Sequence, residues 1–146
     1  MSKYAVKLEH LPSITEFEMD ASQLRSMLNP LGLRELHLWD SRYWFTTHED
    51  WGKVLEKVLL GMPAYLADRW DCEQYAMRAT VRAGELFKLN TLGLCIGQSP
   101  FGYHGFNIFV SEAGGAKLYY LEPQNGMIYD IMEDSGYKAE IVIFGG

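Results

Sequence analysis

The sequence predicts an α+β fold, with helices in the first half of the chain and an antiparallel sheet in the second. Two amphipathic stretches and a change of grammar after Asn90 carry that prediction. In the first stretch Trp51, Val54, Leu55, Val58 and Leu59 keep to one helical face. In the second, Cys72, Tyr75, Ala76, Ala79, Ala83, Leu86 and Phe87 recur at helical spacing. From Thr91 onward, apolar and polar residues alternate with a period of two, as in strands with one buried face.

The elements follow in order. Tyr4, Val6 and Leu8 alternate weakly ahead of Pro12. Asp20 and Gln23 form a capping-box pattern that opens a helix through Leu24, Met27 and Leu28. Asn29-Pro30 ends it, because a residue before proline is pushed out of the helical region. Residues 35–46 read as one strand or two short ones, with a heavy aromatic load in Trp39, Tyr43, Trp44 and Phe45. Thr46-Thr47-His48-Glu49 starts the next helix, and Gly61 and Pro63 close it. A short link, Ala64 to Arg69, leads to a helix from Cys72 to about Lys88. Strands are expected over 91–98, 104–110, 118–124, 127–132 and 139–144, with Gly114-Gly115 and Asn125-Gly126 marking hairpin turns.

All 146 residues are read as a single domain, residues 1–64 being a helical and aromatic N-terminal portion and 65–146 a catalytic-type core. A hydrophobic content of 48% and an aromatic content of 14% suit a compact chain with a sizeable core rather than a disordered one. The net charge of −6 and the absence of a basic run exclude a nucleic-acid surface. No apolar run reaches the length of a membrane-spanning helix, and Met1-Ser2-Lys3-Tyr4 lacks the apolar centre of a signal peptide. Two cysteines, Cys72 and Cys95, make no disulfide framework, so the expected setting is cytoplasmic and reducing.

Chemistry concentrates at Trp70-Asp71-Cys72-Glu73-Gln74. With Asp71 as N-cap, Cys72 sits in the first turn of its helix, beside unpaired N–H groups and the positive end of the dipole. A thiol there is expected to have a lowered pKa. Of four histidines, His104 is the candidate base, at the start of a strand after a glycine-containing loop. An imidazole in that role needs an acceptor that fixes its tautomer. If Val110 pairs with Ala116, His104 faces Glu122; if Val110 pairs with Leu118, it faces Gln124. Glu122 and Gln124 share a face, so either register brings a carboxylate or an amide beside the ring, although Pro123 is positioned to end the ladder. Cys95, among glycines in a strand, reads as structural, and so does Trp51.

The segments Asp71-Cys72-Glu73-Gln74-Tyr75-Ala76, His104-Gly105-Phe106-Asn107 and Glu122-Pro123-Gln124 resemble the papain-like and transglutaminase-like cysteine hydrolases, closest to the type in the C-terminal protease domain of Marasmius oreades agglutinin. The resemblance covers about residues 65–130; Gln74 and Gly105 stand where that type has an acidic residue and an alanine. It implies a papain-like core with the nucleophile helix packed on an antiparallel sheet. It further implies Cys72 as nucleophile, His104 as general base and acid, and Glu122 as the group orienting His104. The oxyanion would be held by the Cys72 N–H and one further donor, for which Trp70, Gln98 and Gln124 are candidates. Asn107 is a further orienting candidate, but alternation aims it at the opposite face, where a backbone-bonding role suits it equally. The sequence itself requires no cofactor. The resemblance implies calcium or another divalent cation near the site, with Asp68 and Glu73 as oxygen ligands, against the plainer reading of two solvated acids at a helix N-terminus.

The expected function is therefore a cysteine hydrolase or acyltransferase working through a thioester, a peptidase or amidase whose partner is a peptide, a protein or a small amide. The alternative is a catalytically inactive binding or regulatory protein on the same scaffold. A thiol pKa that is not lowered points to that alternative.

Overall fold

The computed structural model describes residues 10–145. Tyr4, Val6 and Leu8, and with them the weak strand expected there, lie outside these residues. Among the described residues eight strands and three α-helices follow one another in the order β1 (Glu16–Asp20), α1 (Ala21–Leu28), β2 (Glu35–Leu38), β3 (Arg42–Thr47), α2 (His48–Val58), α3 (Cys72–Phe87), β4 (Leu92–Ser99), β5 (Gly102–Glu112), β6 (Ala116–Glu122), β7 (Met127–Asp130) and β8 (Lys138–Phe144).

Local chemistry explains most of these boundaries. Asp20 accepts from the Gln23 N–H, and the Gln23 side chain accepts in return from the Asp20 N–H, which closes the N-terminus of α1. Thr47 accepts from the Asp50 N–H and caps α2, whose first turn carries Glu49 and Asp50 at the positive end of the dipole. Lys88 takes the left-handed conformation that ends α3.

The strands form one sheet in the order β1-β3-β5-β4-β8-β2, with β6 paired to β5 and β7 to β6. The sheet is mixed. β4–β5, β4–β8, β5–β6, β6–β7 and β1–β3 pair antiparallel, whereas β2–β8 and β3–β5 run parallel. This corrects the expected fold class, a papain-like α+β core with its nucleophile helix on an antiparallel sheet. Strand outweighs helix, and three strands precede α3 and enter the same sheet, two of them through parallel pairs. The physical reason is visible in β1, where Glu16, Glu18 and Asp20 are exposed and only Met19 is buried. Its apolar face is only Phe17 and Met19, too short an alternation between charged residues to announce a strand.

Two apolar clusters flank the sheet. One holds Trp51, Val54, Val58, Ala79, Ala83 and Phe87 of α2 and α3 against Phe109 and Leu121. The other packs Leu24 and Leu28 of α1 with Tyr43, Phe106, Ile108, Val142 and Phe144. Phe106 and Ile108 belong to one cluster and Phe109 to the other, as strand alternation requires. Trp51 is fully buried and donates to the Val110 carbonyl at 2.7 Å, tying α2 to β5.

Candidate functional site

The strand register decides where the polar residues meet. Val110 pairs with Leu118, the alignment that would set His104 opposite Gln124. The β5–β6 ladder, however, ends at Asn107 and Leu121, and Glu122 pairs instead with Met127 of β7. Proline at position 123 offers no N–H with which to continue it. The first residues of β5, Gly102 to Phe106, thus pair with β4 but not with β6. A cleft of about 420 Å³ lies at this opening, lined by Tyr65, Cys72, Phe101, Tyr103, His104, Glu122, Gln124 and Asn125.

Helix α3 meets β5 there at close range. A Cβ at Gly105 would stand 3.2 Å from the Glu73 backbone, so the absence of a side chain lets the strand lie against the helix N-terminus. The Gly105 N–H points at Cys72 Sγ, 3.4 Å away. On the other wall His104 donates from Nε2 to Glu122 Oε1 at 2.6 Å. Glu122 is 2% exposed, and Tyr137 Oη and the Gln124 N–H also donate to its carboxylate, at 3.0 and 3.2 Å. A buried carboxylate is tolerated only with its lone pairs occupied, and here both oxygens are. The Phe101 ring lies 6.0 Å from that of His104.

Cys72 departs from the expected lowered thiol. Burial pushes its pKa up; the Gly105 N–H pulls it down, while Glu73 and Asp71 raise it further. The acidic residues that suit the helix dipole thus oppose ionisation of the thiol beside them. Cys95 is fully buried and its pKa stands well above the ordinary range for the same reason of burial.

The remaining candidates scatter. Gln124 lines the cleft, but Gln98 bonds Glu140 at 3.2 Å on β8. Trp70 packs edge-on to Tyr75 and is not part of the cleft lining. Asn107 faces α3, where its amide donates to the carbonyls of Ala76 and Gly93, each at 3.0 Å, and so clamps the helix to β4 and β5. Asp68 sits in a turn with a left-handed φ of 61°. It is not in the group of potential metal ligands among the described residues, which is Asp71, Cys72 and Glu73. Among residues the sequence did not single out, Tyr65, Phe101, Tyr103 and Asn125 line the cleft and Tyr137 holds Glu122. Phe101 and Tyr103, bracketing a glycine directly before His104, carried the one readable signal.

No protein-family model matches the sequence, and neither does any curated protein. Solved structures do. PSL1a in complex with E64 aligns with a TM-score of 0.69 and 24% identity, over 87% of this chain and 51% of that one. Polyporus squamosus lectin bound to the human-type influenza-binding epitope Neu5Acα2-6Galβ1-4GlcNAc aligns with a TM-score of 0.69 and 20% identity, over 87% and 49%. The chain therefore shares a fold with these structures and spans about half their length. These likenesses are to a lectin and to PSL1a, and they replace the expected membership in the papain-like or transglutaminase-like cysteine proteases. The expected hydrolase or acyltransferase function and its protease vocabulary are corrected with it. Among the described residues no helix is long and apolar enough to cross a membrane.

Proposed function

We propose that the chain is a binding protein whose cleft beside α3 and the opening of β5 takes a small polar molecule. One observation carries the reading: exposed aromatic rings and fixed polar groups converge on a single hollow. Tyr65, Phe101 and Tyr103 are 57%, 73% and 55% exposed around it. Such rings offer apolar faces to a ligand at little entropic cost, and a few oriented polar groups select it. Here those groups are the His104–Glu122 pair and Asn125, whose Oδ1 accepts from the Met127 N–H. The small ligands of the two similar structures, E64 and a sialylated trisaccharide, are in keeping with a partner of this size.

The test is titration calorimetry with E64 and with Neu5Acα2-6Galβ1-4GlcNAc as separate probes, on wild type, Tyr65→Ala and Gln124→Ala. Reversible binding of either probe, weakened about tenfold by each substitution, is the expected result, equivalent to losing about 1.4 kcal/mol of contact. Binding indifferent to both substitutions, or no binding of either probe, overturns the reading. So does a permanent mass increase on Cys72, or peptide cleavage that disappears in Cys72→Ala.

A further inference from the structure

The geometry points to Tyr137 as a positioning residue for the His104 ring, acting through Glu122. His104 Nε2 and Tyr137 Oη converge on the same oxygen, Glu122 Oε1, at 2.6 and 3.0 Å, while the Gln124 N–H holds Oε2 at 3.2 Å. The terminal torsion of a glutamate is soft. Without the hydroxyl, Oε1 would be held by the imidazole alone, the very group it has to orient. Tyr137 supplies an anchor from outside the pair.

That anchor is itself fixed. The Tyr137 ring stands edge-on to Phe106, with centroids 5.1 Å apart and planes at 76°, and stacks on Tyr129 at 5.0 Å and 23°. The preceding residue, Gly136, has a φ of +86°, and a Cβ there would lie 3.0 Å from Pro100 Cγ. The turn before β8 is thus wedged against the loop that carries Phe101. Burial raises the Tyr137 hydroxyl pKa, and the charge of Glu122 and its hydrogen bond raise it further, so the group stays a donor at neutral pH. A carboxylate oxygen accepts, so the imidazole proton that faces Glu122 sits on Nε2. The inference does not depend on which ligand the cleft takes.

The experiment reads the ring nitrogens of His104 directly, by long-range proton–nitrogen NMR on wild type, Tyr137→Phe and Tyr129→Phe. Phenylalanine keeps the ring contacts at 137 and removes only the donor. In wild type a single tautomer with a protected Nε2 proton is expected. In Tyr137→Phe that proton should exchange with water about five- to thirtyfold faster, the factor that one to two kcal/mol of lost restraint produces. Tyr129→Phe should leave it unchanged. An unaltered signature in Tyr137→Phe, or an equal change in Tyr129→Phe, overturns the assignment. Should Tyr137→Phe fail to fold, 3-fluorotyrosine at 137 replaces it. That ring keeps its shape and donates more strongly, so the Nε2 proton must shift if the hydroxyl positions the pair, and an unmoved proton overturns it.

Discussion

Glu122 is the residue whose chemistry the cleft can least spare. Three donors meet its two oxygens in a site from which water is almost excluded. A carboxamide of the same shape has one oxygen where the carboxylate has two. In Glu122→Gln the amide nitrogen must therefore face either the Gln124 N–H or the His104–Tyr137 side, donor against donor. We expect a loss of about 1–3 kcal/mol, the cost of leaving a buried polar group unmet, read as a lower midpoint in urea unfolding. An unchanged midpoint would mean that the three bonds contribute little. The sequence showed the pairing of His104 with a partner near Glu122 or Gln124, because both share one strand face. It did not show that Glu122 would be chosen through the end of the ladder, nor the part of Tyr137. That contact spans fifteen residues and joins the end of β6 to the residue before β8, and no local period reports it.

At the scale of elements, helices and hairpins were readable where caps and alternation are strong. The capping box at Asp20, the cap at Thr47 and the turn at Asn125-Gly126 each mark a boundary close to the observed one. What local pattern missed is the pairing of distant strands. β8 sits between β4 and β2, antiparallel to one and parallel to the other, and β4 shifts register against it between Ile96 and Gly97. Gly97 has a specific role at that irregularity. A Cβ there would run into the Lys138 carbonyl oxygen and stand 2.9 Å from Ala139 Cα, both backbone atoms with little freedom to yield. Gly97→Ala is expected to destabilise the protein by about 1–3 kcal/mol, with the earliest loss of amide-exchange protection in β8. Equal protection in β8 and β5 in that variant would show that the shifted register is not held by this close approach.

For the whole molecule, the mixed sheet replaces the anticipated arrangement of helices followed by an antiparallel sheet, because early strands join late ones in parallel, β2 beside β8 and β3 beside β5. Folding also sequesters ionisable groups in their neutral form. Burial raises the pKa of Cys95 and Tyr120 and is the leading cause for Tyr137, from ordinary values of 9.0 and 10.0. The native state therefore keeps protons that the unfolded chain gives up. The stability they contribute is complete below those ordinary values and is lost as pH rises toward the native ones. Tm should fall steadily from about pH 9 upward, and a flat Tm to about pH 11 would contradict the burial of these groups. We infer that ligand recognition belongs to the cleft where β6 leaves β5. Its most direct test is mapping of amide and side-chain NMR shifts on addition of E64 and of the sialylated trisaccharide. One of them is expected to move signals of Tyr65, Tyr103, His104 and Gln124 together, reversibly, and to leave those around the larger hollow at Trp44, Val81 and Asn90 in place. Shifts confined to that second hollow, or none with either molecule, would contradict it.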